Sequence, residues 1–166
     1  EGMLRQKGVA TETLVAVVKE MSRAAGPEGM VGGQAIDLES ENKHISMAEL
    51  KALHMGKTGA LFRAAIRSGA LLADASADEL YALTVYAEKF GLAFQITDDI
   101  LDVIGDEATI GKPVGSDERN HKSTYVTLTS LEEAKKLATD TAAEAVEALQ
   151  IFGERADFLR ELVKYL

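Results

Sequence analysis

Apolar residues recur along this chain every three or four positions, the period of a helix that buries one face, and rarely alternate as a half-buried strand would. Leu14, Val17, Val18 and Met21 mark a first helix over residues 11–25, and Gly26-Pro27 ends it, because proline cannot continue a helix. A second helix is predicted over 28–39. It contains Gly29, Gly32 and Gly33, and a glycine inside a helix costs about 1 kcal/mol relative to alanine. Glycines there suit a close approach, either of another helix backbone or of a ligand. A polar loop over 39–45 leads to Ser46-x-x-Glu49, a capping box that opens a third helix, which Gly69 is expected to close after Ser68. Ser76-x-x-Glu79 opens a fourth helix running to Gly105, and Ser130-x-x-Glu133 opens a later one that Gly153 closes after Phe152. A last helix over 156–166 places Phe158, Leu162 and Val163 on one face. The connection over 105–122 is rich in Gly, Pro and charge, and a loop of that length in a helical protein is functional or disordered. The predicted fold is all-α and a single domain.

The fourth helix carries an unusual sequence, Phe94-Gln95-Ile96-Thr97-Asp98-Asp99-Ile100-Leu101-Asp102-Val103. The spacing puts Asp98 and Asp102 one above the other on one face, with Asp99 beside them. Phe94, Ile96, Ile100, Leu101, Val103 and Ile104 read as the composition of a buried helix, so the carboxylates lose hydration. They also lie near the C-terminal end, where the helix dipole repels negative charge. At an effective dielectric of about 20, each close carboxylate pair repels by about 3–4 kcal/mol. A simple turn does not explain the motif, because apolar residues continue through Ile104 with no Gly, Pro or Asn before Gly105. A divalent cation does. Hard oxygen ligands without Cys or His point to Mg²⁺ rather than Zn²⁺, and Mg²⁺ takes only one or two protein carboxylates and completes its shell with water and phosphate. The motif therefore predicts a phosphorylated or diphosphorylated ligand.

Composition narrows the field. At 166 residues, 46% hydrophobic and 27% charged, the chain is one ordinary globular domain with a sizeable core. It has no cysteine, which excludes disulfides and thiolate chemistry and allows a reducing cytoplasm without requiring it. A net charge of −9 with no basic stripe argues against nucleic acid as a partner. No charge-free apolar run reaches the about 18 residues a transmembrane helix needs. The chain opens on Glu1-Gly2-Met3, with neither an initiator Met first nor a signal-peptide pattern, as a fragment would.

Other constellations weigh less. Gly56-Lys57-Thr58 resembles the end of a phosphate-binding P-loop, but Lys51 stands where its first glycine is needed and the segment lies in mid-helix. Gly111-Lys112 is followed by Pro113 and lacks the Ser or Thr that would ligate Mg²⁺. What survives is that Lys57, Lys112 and Lys122 are cations near small residues, able to converge on an anion bridged to Mg²⁺. Glu41-x-x-His44 and Glu118-x-x-His121 match the spacing of di-iron bundles, but both fall in polar loops without a fixed common face.

Taken together, Gly29 to Leu38, Lys57-Thr58-Gly59-Ala60-Leu61, Phe94-Gln95 with Asp98-Asp99-Ile100-Leu101-Asp102, Gly111-Lys112 and His121-Lys122-Ser123-Thr124-Tyr125 resemble, in order, the trans-prenyl diphosphate synthases of the bacterial farnesyl and geranylgeranyl type. The resemblance covers nearly the whole chain from about residue 11. It implies an antiparallel helical bundle of the isoprenoid synthase type around a deep apolar pocket. The implied reaction is Mg²⁺-dependent condensation of an allylic diphosphate with isopentenyl diphosphate to a short-chain prenyl diphosphate, by a cytoplasmic homodimer. Carried over by position, Asp98 is the direct Mg²⁺ ligand, with Asp99 and Asp102 acting through metal-bound water or as further ligands. Lys57 and Lys112 hold the allylic diphosphate, and Lys122 is a further diphosphate candidate. Thr58 and Gln95 face the developing allylic cation, and Gln34 and Asp37 line the pocket.

Three departures qualify the resemblance. The family carries a first aspartate-rich motif and its isopentenyl-binding residues on earlier helices, whereas Asp98-Asp99 is the only Asp-Asp pair here. Val126 stands where the family commonly has Pro, and the chain ends at Leu166 without a basic tail. The expectation is the C-terminal half of such a synthase, inactive by itself if the missing half is truly absent. The alternative is a silent relative or helper subunit that acts by protein–protein contact.

Overall fold

The computed structural model describes residues 8–105 and 115–166, and it is helical throughout, with no strand among the described residues. The elements are α1 (Thr11–Ala25), α2 (Met30–Glu39), α3 (Met47–His54), a π turn (Met55–Gly59), α4 (Ala60–Leu72) and α5 (Ala77–Ile104). Two short helices follow, α6 (Ser116–Arg119) and α7 (Tyr125–Leu128), then α8 (Leu131–Ala148), a 3₁₀ segment (Gln150–Ala156) and α9 (Asp157–Val163).

The spine is α5, whose 28 residues extend about 42 Å at 1.5 Å each. It packs along α8 on one side and α4 on another, and α4 in turn packs on α1. Its length lets it serve two cores. Leu92, Ile96 and Ile100 pack with Leu50, Tyr125 and Ala134 near its C-terminal end. Tyr86 and Phe90 pack with Ala145, Leu149, Ala156 and Val163 near the other end. Polar ties sit between the layers. Arg67 on α4 donates to Glu20 on α1 at 2.9 and 3.1 Å and to Thr84 on α5 at 2.7 Å. The Tyr86 hydroxyl donates to the Leu159 carbonyl at 3.0 Å, fastening α9 to α5.

The expected capping boxes form at Ser46/Glu49 and Ser76/Glu79 with both reciprocal bonds present, and Ser130 caps α8 by accepting from the Glu133 amide. The sequence reading fails at two of its glycine stops. The helix through Gly69 continues to Leu72, because the stop signal lies further on at Asp74, which takes a left-handed φ of 56°. There the Ala75 amide donates to Ala70 O at 3.0 Å and the Asp74 amide to Leu71 O at 3.2 Å, the paired bonds of a Schellman turn. α8 ends at Ala148 rather than Phe152, and Arg160 donates to the Leu149 and Gly153 carbonyls that follow. The aspartate helix is also buried on fewer faces than its composition suggested. Ile96 and Ile100 are core residues, but Phe94, Leu101, Val103 and Ile104 are exposed, since α4 and α8 cover only part of its circumference.

The glycine question of α2 resolves as a helix crossing. A Cβ at Gly33 would lie 2.2 Å from the Lys57 backbone nitrogen and 2.8 Å from the Gly56 carbonyl carbon, so α2 rests directly on the π turn. On its other side the same turn meets α5, where a Cβ at Gly91 would lie 3.2 Å from the Gly59 Cα. Both neighbours at Gly33 are backbone atoms and cannot rotate away. We expect Gly33→Ala to lower stability by about 1–3 kcal/mol, the range for overpacking a tight core, as read by urea unfolding.

Candidate active site

Lys57 and Thr58 lie in the π turn, an insertion that offsets the helix by one residue and is frequent at functional sites. The turn aims Lys57 at Asp37 on α2, with Nζ 2.8 Å from Oδ2. Lys122, from the connection between α6 and α7, approaches the same oxygen to 2.9 Å. The Thr58 hydroxyl donates to Gln95 Oε1 on α5 at 3.2 Å. These groups line one cleft of about 180 Å³ together with His54, Asp98, Asp99, Asp117, Ser123 and Thr124. A larger groove between α1 and α4 lies away from these groups and contains none of them.

The structure thus unites Asp37, Lys57, Thr58, Gln95, Asp98, Asp99 and Lys122 in one place. Gln34 is exposed on α2 and does not line the cleft. Asp102 is buried and lines a separate groove with Val103, Gly115 and Val126. Lys112 lies outside the described residues. His44, Glu118 and His121 border a neighbouring groove, and no group of three His, Asp or Glu able to hold a metal occurs among the described residues.

Four cleft residues, His54, Asp117, Ser123 and Thr124, were given no role from the sequence. His54 shares the i, i+3 face with Lys57, a spacing that offered a signal, and Ser123 and Thr124 lie in the motif that begins at His121. Asp117 offered none, because a loop's path over a helix is set by tertiary packing.

The electrostatics are tense. Burial pushes the Asp99 carboxyl up to about 7, against the lowering effect of a hydrogen bond from the Tyr125 amide, and Asp117, Asp98 and Asp102 push it further in the same direction. Asp37 is also desolvated, yet the hydrogen bonds and charges of Lys57 and Lys122 outweigh this and hold its carboxyl below the ordinary range. Desolvation lowers the His54 imidazole to about 4, so it is neutral at pH 7, and its Nδ1 is buried without a hydrogen-bond partner. Asp98, Asp99 and Asp117 line the cleft beside two lysines, and carboxyl oxygens of this kind suit a hard cation that takes a few protein ligands and finds the rest on a bound anion.

The all-helical bundle is the fold of solved isoprenyl diphosphate synthases. A solved geranylgeranyl pyrophosphate synthetase from Pyrococcus horikoshii Ot3 superposes with a TM-score of 0.84 at 30% identity, covering 98% of this chain and 61% of that one. A geranyltransferase from Helicobacter pylori, solved in complex with magnesium and isoprenyl diphosphate, gives 0.81 at 30% identity over 99% of this chain and 54% of that one. The polyprenyl synthetase family model matches residues 3–165, and the chain belongs to that family. The farnesyl diphosphate synthase of Escherichia coli (strain K12) is 46% identical over 149 residues, which is 89% of this chain and 50% of that protein. The chain therefore spans about half the length of the curated relatives it matches.

The neutral His54 makes a pH prediction. Its folded pKa lies below the unfolded value of about 6.5, so stability is intact above that pH and is lost as pH falls toward 4. His54→Gln should flatten the stability profile between about pH 6.5 and 4 in urea unfolding series.

Proposed function

We propose that this chain supplies the diphosphate-binding wall of a Mg²⁺-dependent prenyltransferase that condenses an allylic diphosphate with isopentenyl diphosphate. The observation that carries this reading is the convergence of Lys57 and Lys122 on Asp37 in the cleft that also presents Asp98. Two ammonium groups held this way are ordered in advance, and an incoming diphosphate can exchange with the Asp37 carboxylate without first recruiting them. Lys112 would join them by family resemblance.

Asp98 is the residue we assign to take Mg²⁺ directly, with Asp99 next to it on the cleft wall. When bound, the metal supplies charge neutralisation for the departing diphosphate. The chain's own residues then serve the allylic cation left behind. Thr58 donates its proton to Gln95, which leaves the hydroxyl lone pairs available to face positive charge. Phe94 and Leu101 share the helix face of Asp98 at i, i+4 and i+7 and are partly exposed, an apolar surface on which a prenyl tail can lie out of water. Asp98-Asp99 is the only Asp-Asp pair in the 166 residues, and by family resemblance the isopentenyl side and the opposing metal ligands belong to earlier helices. On family resemblance we take the working enzyme to be a cytoplasmic homodimer.

Calorimetric titration with inorganic diphosphate should show binding that requires Mg²⁺. Asp98→Ala and Lys57→Ala should each weaken it by about tenfold or more, the loss expected for a charge-assisted contact. A condensation assay on the same sample should give no product from this chain alone. Unchanged binding in Asp98→Ala would remove the site assignment.

A further inference from the structure

The three aspartates of the Asp98-Asp99-x-x-Asp102 motif do not point the same way, and Asp99 and Asp102 are held by hydrogen bonds from the chain that follows α5. Asp102 is 3% exposed, and both its carboxylate oxygens accept hydrogen bonds from Ser116 or Asp117. Its Oδ1 accepts from the Ser116 amide at 3.2 Å and the Ser116 hydroxyl at 2.8 Å, while Oδ2 accepts from the Asp117 amide at 3.1 Å. The Asp102 carbonyl also accepts from the Gly115 amide at 2.8 Å. Three consecutive amides thus close around one residue. A turn nearer the N-terminus, Asp99 Oδ2 accepts the Tyr125 amide at 2.7 Å in a buried bond. Asp102 borders the groove on the far side of this connection, Asp99 borders both that groove and the cleft, and Asp98 borders the cleft alone.

We propose that Asp102 and Asp99 are positioning residues that clamp the strap over residues 115–125 at its two ends and so hold Lys122 at Asp37. This deepens the function proposed above and rests on it only for the role of Lys122. Between the clamps the strap has little slack. The His121 amide donates to Glu118 O at 3.0 Å, the Lys122 amide to Asp117 O at 2.9 Å, and His121 turns the chain with a φ of 49°. Lys122 therefore reaches Asp37 because both ends of its short segment are tied to α5. Both ties are backbone hydrogen bonds to carboxylate oxygens, so they form without metal.

Residue-resolved amide exchange by NMR on the chain in EDTA tests this. The Ser116, Asp117 and Tyr125 amides should be protected there. Asp102→Ala should speed exchange of the first two by about tenfold or more, as expected for the loss of a hydrogen bond to a charged acceptor. Asp99→Ala should do the same at Tyr125, whereas Asp99→Asn, which keeps an acceptor oxygen and the native size, should leave Tyr125 protected. Asp98→Asn should move none of the three amides. The proposal is overturned if protection appears only on adding Mg²⁺ with inorganic diphosphate, or if Asp98→Asn opens the strap as far as Asp102→Ala does. Failure of wild-type diphosphate binding would count against the proposed function and leave the exchange result to decide the clamp.

Discussion

One carboxylate oxygen organises the functional end of this molecule. Asp37 Oδ2 receives Lys57 at 2.8 Å and Lys122 at 2.9 Å, from segments 65 positions apart in the chain. The Asp37 side chain is only 12% exposed, and the two ammonium groups offset the cost of holding its charge inside the fold. Each lysine reaches it through a separate device. Lys57 depends on a π turn seated against the bare backbone of Gly33, and Lys122 depends on a strap tied to α5. A buried ion pair of this kind adds little net stability, since desolvation offsets much of the attraction. Its value is geometric, because it fixes two cations beside an acidic helix end.

That helix end is a deliberate imbalance. α5 is apolar enough to run through two cores, and this burial raises the Asp99 carboxyl to about 7. Carboxylates crowded there repel one another and the helix C-terminus alike. The fold meets part of that stress with donated amides from Ser116, Asp117 and Tyr125. Lys57 and Lys122 add positive charge on the same cleft wall.

The sequence was informative wherever local chemistry decides. Helix starts at Ser46, Ser76 and Ser130 were legible because a capping serine and a glutamate three residues on satisfy amides within a single turn. The C-terminal boundaries were harder, since glycine only permits a stop. Gly69 stays helical, and Asp74 ends the helix by entering the left-handed region that aspartate tolerates. Lys57, Asp98 and Asp99 were legible as chemistry, Gln95 gained its role only through the family resemblance, and the structure brings all four to one cleft.

By itself, the sequence determined an all-helical chain, its capped helix starts and the clustering of three carboxylates on one helix. Each of these rests on spacing within a few residues, where helix geometry leaves no freedom. Only the tertiary structure decided that Gly33 is a crossing point, that a π turn aims Lys57, that His54 and Asp117 join the cleft, and that Asp102 turns toward Ser116 instead of toward the lysines. Those outcomes depend on which backbone amides a folded loop brings to a side chain many positions away. Such contacts leave no period or spacing to read, so the division of labour within Asp98-Asp99-x-x-Asp102 emerges only once the strap lies against α5.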